Sequence, residues 1–163
     1  MGVVIDIAKS YRRPKEVFGR RIACDDRTGF ATLILGCFLM FVSRLPYAMR
    51  SSVEREIPFN AEVSAAMFIT VFAMPLVIYL FAGGLGLLIR IFGLRFLGRS
   101  LRNSVIWAFL VTAPFGLLYG LVQGFIGPGV QTQAVGLVCF LVFVFFVSTG
   151  IKETIQQEQK IDV

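Results

Sequence analysis

The chain has 163 residues, 56% of them hydrophobic, a net charge of +6 and no histidine. A mean hydropathy of +0.78 excludes an ordinary soluble domain, which needs far more polar surface. Without histidine the commonest metal and haem ligand and the usual general base are missing, so no metal site, cofactor or catalytic constellation is expected.

Residues 1–27 form a basic segment. MGVVID has the glycine of a myristoylation site but Asp6 where Ser or Thr is required, so acylation is not expected. Ser10 and Pro14 read as a helix entry, with the proline near the first turn. In KEVFGRRIA, Val17, Phe18, Arg21 and Ile22 recur at helical spacing among Lys9, Arg12, Arg13, Lys15 and Arg20. The pattern predicts a short helix lying in an anionic headgroup layer. A solvated tail ending in a helical turn and a partner-binding tail are the alternatives.

Four apolar runs follow, at about 28–47, 61–89, 103–126 and 132–150. In the first, Arg44 snorkels to the interface and Tyr47 is an interfacial anchor. Cleavage after Ala48 would put Pro46 at the minus-three position, a poor signal-peptidase site, so this run is read as a retained span. Residues 50–60 form a polar connection, with Asn60 as helix N-cap and Glu62 in the first turn. The second run exceeds the ~20 residues a bilayer needs, which predicts tilt, emergence or a kink, and Pro75 supplies a kink. Pro75, Tyr79, Ala82 and Gly86 share one side of it and read as a packing face. AGGLG at 82–86 is read as part of one helix, because no charge divides it.

RIFGLRFLGRSLR at 90–102 places Arg95, Arg99 and Arg102 on one helical face, among lipid phosphates. The third run carries Pro114, read as a second kink, and the repeat Gly116, Gly120, Gly124. Thr112, Ala113, Tyr119 and Gln123 join these glycines on a small face that admits a close backbone. Trp107, Leu110, Leu118, Leu121 and Phe125 are expected to face lipid. The close partner is either another helix of the same chain, the preferred reading, or a second chain. The fourth run continues into a short polar tail, 151–163. Cys24, Cys37 and Cys139 are odd in number and lack CxxC spacing, so they read as small hydrophobes.

Thirteen of the sixteen Lys and Arg lie before the first run, between the second and third, or after the fourth. Only Arg44, Arg50 and Arg55 lie on the other side. The positive-inside rule therefore places both termini in the cytoplasm. The cations flank apolar runs, so they read as topology and anionic-lipid contact, including Arg12 and Arg13, and not as a nucleic-acid surface. No Asp, Glu, Lys or His occupies mid-membrane depth, which argues against an ion-coupled carrier.

The layout resembles the Yip (Ypt-interacting protein) domain family, in its bacterial form. The similarity is carried by RRPKEVFGRR before the first span, the long second span, FLGRSLRNSVIWAFLVTAP from Phe96 to Pro114, and FLVFVFFVSTGIKE in the last. The resemblance implies a small polytopic protein, in which a fifth span common in the family is lacking. Eukaryotic members are associated with Rab-type GTPases and vesicle traffic, and no GTPase-binding residue transfers to this chain.

The expectation is thus an all-α polytopic membrane protein with four transmembrane helices, both termini cytoplasmic, in a bacterial inner membrane. It is read as non-enzymatic, acting in membrane organisation or as an interaction partner within the bilayer. Membrane lipids, with anionic headgroups on the cytosolic face, are the expected partners, with another membrane protein or a second copy beside them. An accessory subunit of a larger complex and a small transporter or channel are the alternatives.

Overall fold

The computed structural model describes residues 2–91 and 98–161, the last five by backbone alone. Two short helices, α1 (Val3–Arg12) and α2 (Pro14–Ile22), precede α3 (Asp26–Glu54). Next come α4 (Phe59–Met67), a π-helical segment (Phe68–Ala73) and α5 (Met74–Ile91), which together form one rod. Helices α6 (Gly98–Phe125) and α7 (Val130–Ile161) complete the chain, and the described residues contain no strand. Four helical rods are long and apolar enough to cross a bilayer: α3, the α4–π–α5 rod, α6, and α7 as far as Gln156. The protein is an all-α integral membrane protein.

The third span is the hub. In its most apolar stretch 61% of residues are buried inside the molecule, against 17% for the second and fourth spans. From Asn103 to Ala113 every residue is buried. Helix α3 packs along α6 in parallel: Gly29 faces Asn103, Gly36 faces Phe109, Ser43 faces Gly120 and Pro46 faces Gly124. Residue numbers rise together, as first and third spans of a four-span chain require. Helix α7 runs the other way, with Gly136 against Tyr119 and Gly150 against Ser104. Helix α5 leans on the remaining side through Ile78 and Ala82, which join Leu33 and Cys37 of α3 and Val105, Ile106 and Phe109 of α6 in one cluster.

Several local expectations change. Ser10 does not open a helix. It lies inside α1, a helix that the sequence did not announce, while Pro14 takes the first position of α2 as expected. Asn60 is not the N-cap. Pro58 is, and the Asn60 carboxamide oxygen accepts the N–H of the next residue at 3.0 Å. Helix α3 runs two turns further than the apolar run, to Glu54, because nothing in MRSSVE stops it. Just before Pro75, the expected kink, the helix widens into the π segment. A proline removes one backbone donor and crowds the carbonyl four residues back, here Val71, and a widened turn relieves that crowding. The Met74 N–H accordingly reaches the Ile69 carbonyl, five residues earlier. The polar tail continues α7 as helix to Ile161.

Candidate functional site

The glycine face of α6 is closed by α3. A Cβ built on Gly116 would lie 2.7 Å from the Met40 sulfur and terminal methyl. One on Gly120 would strike the Ser43 carbonyl oxygen, with the Ser43 carbonyl carbon at 2.6 Å and Cα at 3.0 Å. One on Gly124 would sit 2.7 Å from the Pro46 carbonyl carbon. Gly120 and Gly124 therefore admit backbone from the same chain, and Gly116 admits the Met40 side chain. Gly29 and Gly36 return the arrangement from α3, admitting Asn103 and Phe109 of α6. Of the second-span packing residues, Ala82 and Gly86 are buried where α5 meets α6. Pro114 lies within an unbroken helix.

The opposite face of α6 divides in two. Leu118, Leu121 and Phe125 are 49%, 46% and 80% exposed, as expected of a lipid face. Trp107 and Leu110 are 1% and 0% exposed, which overturns the expectation for them. The cause is the N-terminal segment. Helices α1 and α2 fold back over the N-terminal half of α6, and Val17, Phe18 and Ile22 join Trp107, Leu110 and Phe146 in a single core. The apolar face of α2 is thus covered by the chain itself and does not lie open in a headgroup layer.

Polar side chains hold this clasp. Asp6, buried on α1, receives Arg21 at 2.5 Å and Arg20 at 3.5 Å. The Arg21 guanidinium stands 4.3 Å from the centre of the Trp107 ring. The Trp107 indole N–H donates to Ser10 Oγ at 3.2 Å, and that hydroxyl donates to the Asp6 carbonyl at 2.8 Å. Tyr11 donates to the Val111 carbonyl, and partial burial raises its phenol above the ordinary value. The Asn103 carboxamide N–H₂ ties the α2–α3 turn to α6 through the Cys24 carbonyl at 2.9 Å. Burying Val17, Phe18 and Ile22 is worth roughly 6 kcal/mol against water and close to nothing against lipid. In a bilayer the polar contacts therefore decide whether the clasp stays closed. No local sequence pattern links these residues, because Asp6 and Arg21 lie 15 positions apart, Cys24 and Asn103 79, and Ser10 and Trp107 97.

The expected lipid-contact arginines have different surroundings. Arg12 and Arg13 are exposed at the turn between α1 and α2, with Arg13 3.7 Å from Glu16. Arg99 grips Asp26 by two hydrogen bonds of 3.0 and 2.7 Å, and Arg102 reaches the same carboxylate. Arg102 also stands 5.8 Å from the centre of the Tyr79 ring. Arg95 lies outside the described residues. The basic face is thus partly neutralised from within by one aspartate at the head of α3. No family model, curated protein or solved structure matches the chain.

Proposed function

We propose that this protein is a non-catalytic member of the Yip-type architecture that organises a bacterial cytoplasmic membrane through contacts with lipid and neighbouring membrane proteins. The observation that carries the reading is the division of surfaces around α6. The small face of the hub is spent on α3. The second and fourth spans keep broad apolar surfaces, with Leu76, Leu80, Leu87, Phe140 and Phe145 all exposed. Those surfaces suit lipid or other helices. The sixteen cations collected mainly at one end suit an anionic leaflet. The resemblance in RRPKEVFGRR and FLGRSLRNSVIWAFLVTAP supports the family reading from the sequence side.

Mild extraction followed by native mass spectrometry and solute-flux assays in proteoliposomes test the proposal. Expected are co-purifying anionic lipid or a membrane-protein partner, and no flux above empty vesicles. Solute flux that disappears on replacing Pro75 or Pro114 would overturn it in favour of transport.

A further inference from the structure

Two adjoining cavities lie toward the end of the bundle away from the basic face. The larger is an apolar cleft of about 480 Å³, lined by Met40 of α3, Phe109 and Tyr119 of α6, Met74 of α5 and Phe140 and Phe143 of α7. Among the described residues, α5 and α7 nowhere approach backbone to backbone. The Phe81 and Phe143 rings bridge them, with centroids 5.8 Å apart. The other cavity, of about 130 Å³, is lined by Arg44, Tyr47, Glu62 and Thr70. Met40 and Arg44 are one helical turn apart on α3, and Met74 and Thr70 are equally spaced along the second span. The polar cavity is therefore the next step along the same two helices, about 6 Å nearer the membrane surface.

The polar cavity holds two charges that do not satisfy each other. Among the described residues Arg44 makes no hydrogen bond or ion pair. Glu62 is half-buried and accepts one hydrogen bond, from Ser51 Oγ at 2.9 Å, with no Lys or Arg nitrogen within 4 Å. A guanidinium is matched by a phosphate and a carboxylate by an ammonium group. The cleft suits a hydrocarbon chain and not a helix. A helix seated on α6 requires an interaxial distance of about 8–10 Å on each side, and the Phe81–Phe143 bridge blocks that approach.

From this arrangement we infer a binding site for one glycerophospholipid with an amine-bearing headgroup, in the leaflet opposite the basic face. Arg44 holds the phosphate, Glu62 the ammonium group, and the cleft beside Met40 and Met74 takes an acyl chain. The site is separate from the anionic-lipid contacts of the basic face, and either reading can fail without the other.

The test uses the full chain in mild detergent, titrated by native mass spectrometry with phosphatidylethanolamine and with phosphatidylglycerol of the same acyl chains. Expected is one tightly held phosphatidylethanolamine per chain, favoured over phosphatidylglycerol by roughly tenfold, as one charge-assisted hydrogen bond permits. Glu62→Gln should abolish the preference, Arg44→Ala should weaken both lipids roughly tenfold, and Val77→Trp, which fills the cleft, should do the same without touching the charges. Should Arg44→Ala not fold, Glu62→Gln and Val77→Trp carry the test alone. Equal binding of the two lipids by the parent chain, unchanged binding in these variants, or a second protein chain held in the cleft would each overturn the inference.

Discussion

Replacing Gly120 by alanine tests the packing of the hub most directly. The added methyl would strike the Ser43 carbonyl, with the Ser43 carbonyl carbon at 2.6 Å and Cα at 3.0 Å. These are backbone atoms of a transmembrane helix and cannot rotate aside. Normal contact at ~3.5–4.0 Å requires α3 and α6 to part by well over ~1 Å locally, because the carbonyl oxygen lies closer still. Such separation also loosens Met40 on Gly116 and Pro46 on Gly124, so the cost should lie at or above the upper end of the ~1–3 kcal/mol typical of overpacking. Gly83→Ala is the matched control, since its Cβ meets nothing within 4 Å. It should be neutral or slightly stabilising, by up to about 0.5–1 kcal/mol from helix propensity. Thermal unfolding in one detergent, followed through Trp107, the single tryptophan, gives both values. A Gly120→Ala protein within about 0.5 kcal/mol of the parent, a small-effect range for substitutions, would refute the close approach of α3 to α6.

Asp6→Asn removes the counter-charge of Arg21 and should cost about 3 kcal/mol; red-shifted Trp107 emission and new protease cleavage before residue 25 are the expected readouts, and unchanged protection would count against the clasp. Tyr11→Phe deletes one hydroxyl donor to the Val111 carbonyl and should cost about 1 kcal/mol, read as a small fall in melting temperature. Asp26→Ala should barely change stability, because exposed ion pairs contribute little. It should raise retention of anionic lipid in native mass spectra by releasing Arg99 and Arg102, and retention equal to the parent would argue against the headgroup role of those arginines.

The four spans were legible because apolar runs of about twenty residues have few other meanings. The glycine face was legible for a similar reason: three small residues at four-residue spacing leave one side of α6 without side chains. Its occupant was not legible, since nothing in FLMFVSRLP announces that Met40, Ser43 and Pro46 meet those glycines. The error at Trp107 and Leu110 came from treating one helical stripe as having one environment along its whole length. The N-terminal hairpin covers only the first half of α6, so the stripe faces protein at Trp107 and is exposed at Phe125. Helix α1 was missed because its inward positions include Asp6 and Ser10, the reverse of the usual pattern. That inversion makes sense only beside Arg21 and Trp107.

The clasp also sets an order of assembly. Ser10 meets Trp107 across 97 positions, and Tyr11 meets Val111 across 100. Residues 3–22 therefore have no docking site until the third span has left the ribosome, and Phe18 gains its full seat only when Gly150 has followed. Contacts of such long sequence separation form slowly. The clasp thus closes last, after α7 is made, and a chain stopped before α7 would leave residues 3–22 exposed to proteases.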